Sequence, residues 1–267
     1  MKTMLPEILY TAIKTALDAG KTIMYFYAQN ISASYKADQS PVTEADITAG
    51  KLINEALMPL GFPIINEETE IPDYETRRHF TNYWLIDPLD GTKEFLKRNG
   101  EFSVNIAFID INLPILGVIY LPAKQLLYFA EESIGSYKLD LSQSVFPSTL
   151  EELLAISQKL PLPTERTVPR IIGSRSSEKK ETARQVDLLK QLHPNAEVLY
   201  LGSSLKFCLL AEGSADYYPR FSPCMEWDTA AGHAIAKYAG KTVFDVSTKN
   251  ELLYNKQSLE SPNFIVS

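Results

Sequence analysis

Two aspartates three positions apart, Asp87 and Asp90, stand in the run Trp84-Leu85-Ile86-Asp87-Pro88-Leu89-Asp90-Gly91-Thr92. Three apolar residues lead a strand out of a core and deliver Asp87 to its carboxyl end. Pro88 biases Asp87 away from the helical region, and Gly91 permits a tight turn. Thr92-Lys93-Glu94-Phe95 then opens a helix or turn whose free N–H groups could receive an anion. Carboxylates converging across such a turn repel by roughly 4 kcal/mol at 4 Å with an effective dielectric of 20. A hard cation reverses that sign, and Mg2+ favours a few carboxylates together with water and substrate phosphate. The same residues also read as an Asx-turn followed by a helix cap.

Three other places carry acids of the same kind. Glu67 and Glu68 follow the apolar stretch 62–65, again at a strand's carboxyl end, although Glu70 and Asp73 continue them as a solvated acidic loop would. Asp228 sits in Glu226-Trp227-Asp228-Thr229-Ala230-Ala231-Gly232 where a helix begins. It reads as an N-cap, yet the small residues behind it would let a phosphate approach the helix end. Asp46, in Pro41-Val42-Thr43-Glu44-Ala45-Asp46, reads first as the start of a helix.

The elements that must position these groups follow from patterning. Apolar residues at 5, 8, 9, 12, 13 and 17 give an amphipathic helix running to about Tyr27 rather than a secretory segment. A polar loop over 32–42 and a helix over 45–57 follow. Strands are expected near 62–68 and 82–87, the second stopped by Pro88 and Gly91, and then a three-strand meander over 102–132. This meander suggests an antiparallel sheet with helices on one side. Residues 140–168 read as a connection with one short helix. Beyond them, strands at 170–173, 197–200 and 215–218 alternate with helices at 177–192, 204–212 and 228–239, an α/β signature. The boundary falls near residue 150, with an α+β part at 1–150 and an α/β part at 151–267.

The 267 residues carry 26 Lys plus Arg against 33 Asp plus Glu, a net charge of −7, which argues against a binder of nucleic-acid polymers but not against a small anion. With 45% hydrophobic and 22% charged residues the chain has ample apolar surface to fold. Cys208 and Cys224 are the only cysteines, and Cys208 lies in an apolar run, so a disulfide framework is not expected. His79, His193 and His233 are scattered and no CxxC occurs, which disfavours zinc and fits a reducing cytoplasm. No run of about 18 apolar residues suggests a membrane span.

Taken together in order and spacing, Ile65-Asn66-Glu67-Glu68, the segment 84–95 and Glu226–Ala234 resemble the metal-dependent, lithium-sensitive inositol monophosphatase superfamily. The stretches 42–49, 93–110, 114–122 and 202–220 are similar in particular to its CysQ-type branch, the 3'(2'),5'-bisphosphate nucleotidases, and the likeness runs from about residue 5 to 265. The resemblance implies a layered α-β-α-β-α sandwich and hydrolysis of the 3'-phosphate of 3'-phosphoadenosine 5'-phosphate to AMP. Glu67, Asp87 and the Leu89 carbonyl would hold a first Mg2+. Asp87 would bridge to a second, completed by Asp90 and Asp228, with a third ion a further option. Thr92 with Asp46, beside Glu67, would orient and deprotonate the attacking water, and the backbone at Gly91 and Thr92 would receive the phosphate. Li+ would inhibit by occupying the second metal place, and a peripheral position on the cytoplasmic side of the inner membrane is compatible with the branch.

Substrate choice would rest on other residues. Gly202 and Lys206, opening a helix after a strand, would border the nucleotide, and Arg220 would meet its 5'-phosphate, a guanidinium being able to grip phosphate bidentately; a surface arginine is the other reading. Ser174-Arg175-Ser176 resembles a nucleotide-contacting turn, with Ser177 where many relatives have His. Lys93, Lys97 and Arg98 either add positive potential or form a solvated face. Tyr217 and Tyr218 read as core. Two alternatives remain open: a phosphatase for inositol monophosphate or another sugar phosphate, and a catalytically silent nucleotide or metal binder. The oligomeric state is open as well.

Overall fold

The computed structural model of the protein describes residues 5–29, 33–35, 41–174 and 180–267. Helix α1 (Leu5–Tyr27) buries Leu5, Ile8, Leu9, Ala12 and Ile13, the stripe that its spacing marks. Where only a loop was expected, β1 (Ser34–Tyr35) and β2 (Pro41–Val42) form a two-residue ladder. Helix α2 (Glu44–Leu57) then starts in a capping box of Thr43 and Asp46 and packs along α1.

Strand β3 (Ile64–Asn66) leads through the four-residue helix α3 (Tyr74–Arg77) to β4 (Asn82–Asp90), its parallel neighbour. After α4 (Thr92–Leu96) the chain runs antiparallel through β5 (Ser103–Asp110), β6 (Leu113–Leu121), β7 (Leu126–Glu131) and β8 (Gly135–Asp140). Helix α5 (Leu150–Ile156) and β9 (Gln158–Lys159) complete a seven-stranded sheet whose spatial order is its chain order.

The second half contains β10 (Arg170–Ser174), α6 (Lys180–Leu192), β11 (Glu197–Leu201), α7 (Leu205–Glu212), β12 (Tyr218–Arg220) and α8 (Ala230–Tyr238). Strands β13 (Val243–Asp245) and β14 (Phe264–Val266) close it, short elements that the sequence reading missed along with β8. β10 and β11 pair parallel, β14 lies between β12 and β13, and a bridge from Ile171 to Tyr217 links the two groups into one layer.

The layers alternate as the resemblance implies. Helices α1 and α2 cover one face of the large sheet, burying Trp84, Ile86, Phe108 and Val118. The other face, with Leu85, Ile119 and Tyr128, packs on α7 and α8 through Phe207 and Ile235, and on Trp227 of the turn before α8. The smaller sheet lies beyond these helices, and α6 covers it through Val186 and Leu189. The expectation of helices on one side only is therefore corrected: the alternating residues of β4 and β6 are apolar on both faces, and a sheet buried on both faces needs two helical layers. One core also draws residues from both sides of position 150.

Two local features position the acids. β4 does not stop at Pro88. Asp87 pairs with Asn105 and Asp90 with Ser103, so three steps on β4 match two on β5, a bulge of one residue. Pro88, which has no N–H to give a ladder, sits inside that bulge. The second feature is the crossing of α8 over β6. A side-chain carbon added at Gly117 would lie 2.4 Å from the Ala231 carbonyl oxygen, so only glycine allows this approach. Among the described residues, no helix is long and apolar enough to cross a membrane.

Candidate metal centre

The bulge decides which way the acids face. Side chains alternate along a strand, so residues three apart would ordinarily point to opposite faces. The extra residue between Asp87 and Asp90 changes that parity, and both carboxylates line one cleft of about 440 Å3. Glu67 arrives from the neighbouring strand: Asn66 pairs with Ile86, and the Glu67 N–H donates to the Ile86 carbonyl at 3.2 Å, so its side chain emerges beside Asp87. Asp228 comes from the turn that leads into α8. Carboxylate oxygens of Glu67, Asp87 and Asp228 all lie within 4.8 Å of one another.

Unneutralised charges at that separation would repel by about 3 kcal/mol per pair at an effective dielectric of 20. Burial and then Glu67, Asp90 and Asp228 push the Asp87 carboxyl well above the usual carboxylate range. Burial, Asp90 and Glu67 push Asp228 up to about 7. The donors are all hard oxygens and the strain is purely electrostatic, so the set suits a hard divalent cation. Leu89 fits the same set. The single Thr92 proton has Asp46 Oδ1 at 2.9 Å and the Leu89 carbonyl at 3.4 Å, so it goes to Asp46 and the carbonyl keeps its lone pairs.

Asp46 has partners on both of its oxygens. Its Oδ2 accepts from the Thr43 N–H at 2.8 Å and the Thr43 hydroxyl at 2.5 Å, which caps α2, while Oδ1 accepts from Thr92. Burial raises its pKa, opposed by the Thr43 and Thr92 bonds. It lies behind Thr92 rather than on the cleft wall. Gly91 heads α4 with φ +94°, and an added Cβ there would sit 2.9 Å from the Glu101 carbonyl, so glycine is required for backbone and space alike.

Cations line the same cleft. The buried Lys206 ammonium donates to the Ser203 carbonyl at 2.5 Å and lies over the Tyr218 ring; burial and then Arg220 bring its pKa down to about 8. Arg220 is aimed by the carbonyls of Ser222 and Pro223 at 3.1 and 3.0 Å, with N–H groups to spare. Lys93 lines the cleft, whereas exposed Lys97 and Arg98 do not. The Gly202 N–H donates to Glu101 Oε2 at 2.9 Å, just before the cleft-lining Ser203 and Ser204. Tyr217 and Tyr218 pack as core, although Tyr218 also shows an edge to the cleft. Ser174 ends β10, and the turn with Arg175, Ser176 and Ser177 lies outside the described residues.

Sequence reading gave no role to Glu101 or Asn105 and took Ser204 only as part of the segment 202–206. The signal for Asn105 was present, an amide inside the otherwise apolar run 104–109. Nothing local marked Glu101. Both cysteines are free and buried, and the only cluster of metal-ligating type among the described residues is the acidic one.

A sequence profile of the inositol monophosphatase family matches residues 4–265, nearly the whole chain. The chain belongs to the inositol monophosphatase family. Within this family it is 40% identical over 264 residues to the 3'(2'),5'-bisphosphate nucleotidase CysQ of Salmonella typhimurium, covering 97% of this chain and 99% of that one. The protein of the same name from Escherichia coli strain K12 is 42% identical over 256 residues, 94% and 96% of the two chains. Among solved structures, CysQ of Bacteroides thetaiotaomicron superposes with a TM-score of 0.90 at 44% identity, covering 98% of this chain and 97% of that one. Membership of the inositol monophosphatase family implies dependence on a divalent metal, and the acidic cluster has the donors for it.

Proposed function

We propose that the protein is a Mg2+-dependent phosphatase that removes the 3'-phosphate of 3'-phosphoadenosine 5'-phosphate, yielding AMP and phosphate. The observation that carries this reading is the meeting of Glu67, Asp87 and Asp228 within 4.8 Å in a cleft that Lys206 and Arg220 also line. One end of such a cleft suits a phosphate under attack, and the other suits a second, retained phosphate. The relatives named for bisphosphate nucleotides support the same choice.

Glu67, Asp87 and the Leu89 carbonyl would hold one Mg2+, and Asp87, Asp90 and Asp228 another. When bound, such ions neutralise the phosphate, lower the pKa of water and stabilise a departing alkoxide. The chain's own part is placement and proton handling. Thr92 Oγ1, its proton committed to Asp46, turns a lone pair outward to the attacking water, with Glu67 beside it. As the water oxygen bonds to phosphorus and the P–O3' bond breaks, the water proton passes to Thr92 Oγ1 while the Thr92 proton passes to Asp46. The ribose oxygen is reprotonated from solvent. The Gly91 and Thr92 backbone would receive phosphate oxygens, Arg220 the 5'-phosphate, and Lys206 and Gly202 would border the nucleoside.

Phosphate release from a panel of bisphosphonucleotides, AMP and inositol monophosphates tests this. The expected result is a kcat/KM at least about tenfold higher for 3'-phosphoadenosine 5'-phosphate than for any inositol phosphate, and none without Mg2+. Its sulfated form is a further member of the panel. A preference for inositol phosphates would transfer the activity to sugar phosphates, and binding without release would make the protein a silent binder.

A further inference from the structure

Each aspartate of the cluster has one oxygen held by a donor. The Leu89 N–H donates to Asp87 Oδ1 at 3.0 Å, the Met225 N–H to Asp228 Oδ2 at 2.9 Å, and the Ser204 hydroxyl to Asp90 Oδ2 at 2.8 Å. The first two donors are backbone groups of the acid's own turn. The third is a side chain 114 residues away.

The direction of that third bond is fixed by its surroundings. Ser204 Oγ accepts from the Asn105 amide at 2.8 Å and has two acceptors within reach, Asp90 Oδ2 at 2.8 Å and the Asp228 carbonyl at 3.1 Å. Its one proton goes to the nearer and charged acceptor, because a bond to a carboxylate is the stronger. Asn105 is itself oriented, its Oδ1 accepting from the Ser103 hydroxyl at 3.1 Å. Ser204 and Asn105 are 2% and 1% exposed, so solvent does not compete with the arrangement. Ser204 also stands at the N-cap of α7 without making a side-chain cap bond, so its hydroxyl is not needed by the helix.

We propose that Ser204, aimed by Asn105, is a positioning residue for Asp90: it holds Oδ2 and leaves Oδ1 to the cation, strengthening the metal place that Asp90 completes. This rests on the cation site proposed above.

The test is a Mg2+ titration of the whole chain without nucleotide, read by unfolding temperature and by emission of Trp227, which lines the cleft beside Asp228. Ser204→Ala should raise the Mg2+ midpoint about 10–100-fold, the usual cost of losing a partner that orients a metal ligand. Its unfolding temperature without Mg2+ should stay within a few degrees of the parent. Ser204→Thr, which keeps the hydroxyl, should return the midpoint to within about threefold. In phosphate release the Ala variant should be rescued by more Mg2+, whereas a residue that only touches nucleotide would raise KM at saturating Mg2+. An unchanged midpoint in Ser204→Ala, a Thr variant as weak as Ala, or an Ala variant without cooperative unfolding would each overturn the proposal. A parent protein that does not respond to Mg2+ would overturn the metal-dependent function, and this inference with it.

Discussion

Thr92 has one proton and gives it to Asp46, so Thr92→Val removes the lone pair proposed to face the water and leaves Asp46 buried with a partner missing. The expected result is a kcat lower by about 10²–10⁴-fold with KM changed only a few-fold, measured at saturating Mg2+. A variant that keeps more than a tenth of parental kcat would remove Thr92 from the proton path. Asp90→Ala should fold, with circular dichroism unchanged, yet lose nearly all turnover; substantial activity in that folded variant would refute its assigned role. The acids that meet in the cleft were named from the sequence, but each alone also read as a turn, a cap or a solvated loop, and only their order and spacing together set them apart. Asp46 shows the limit. In sequence it is a capping aspartate, and the second partner that reaches it, the Thr92 hydroxyl, lies 46 positions away.

The bulge in β4 and the passage of α8 over β6 bring the acids together. Gly117→Ala would press a methyl against the Ala231 carbonyl and the Ala234 side chain, both on α8. Overpacking of this kind costs about 1–3 kcal/mol, or about 2–4 °C of unfolding temperature per kcal/mol at this size. Because the Asp228 turn leads into α8, the Mg2+ midpoint should rise as well. Calorimetry with and without Mg2+ checks both, and an unfolding temperature equal to the parent's would show that α8 tolerates the shift. The strands and helices were mostly legible from apolar spacing. Pro88 misled the reading, since proline usually ends a strand and a bulge is the exception that leaves no local mark. The three-residue strands β13 and β14 were missed for a related reason: so short a run carries no measurable alternation.

The assembled molecule is tied across its length by a few polar contacts. Arg77, 4% exposed, donates to Asn255 Oδ1 and to the carbonyls of Lys256 and Gln257 at 2.6–2.8 Å. Buried Glu226 in turn accepts from the N–H groups of Asn255 and Lys256, which steadies the turn holding Asp228. On α8, burial keeps the His233 pKa below its ordinary 6.5, while its bond to Glu251 and then Lys237 bring Glu251 down to about 2 from 4.5. Both folded values are depressed, so at these two sites the folded chain binds fewer protons than the unfolded one, and their contribution to stability is lost as pH falls. The loss begins below about 6.5 through His233 and continues from 4.5 towards about 2 through Glu251. The raised carboxyls of Asp87 and Asp228 act in the opposite sense in parent and variant alike, so the difference isolates His233: unfolding temperature should fall more steeply, or rise less, between pH 7 and 5 in the parent than in His233→Gln, and equal slopes would show that His233 makes no such contribution. Such long-range ties were invisible in the sequence, because no local pattern pairs Arg77 with a segment nearly 180 positions away.

Glu67, Asp87 and Asp228 come from stretches that only the fold unites, and the proposed chemistry depends on their gathering around a pair of divalent ions. Crystals grown with Mn2+ in place of Mg2+, read by anomalous scattering, would locate those ions. The expected result is two peaks, one at coordinating distance from oxygens of Glu67 and Asp87, the other from oxygens of Asp87, Asp90 and Asp228. Peaks bound elsewhere, or these carboxylates turned away from one another around empty density, would refute the shared pair of ions and the function built on it.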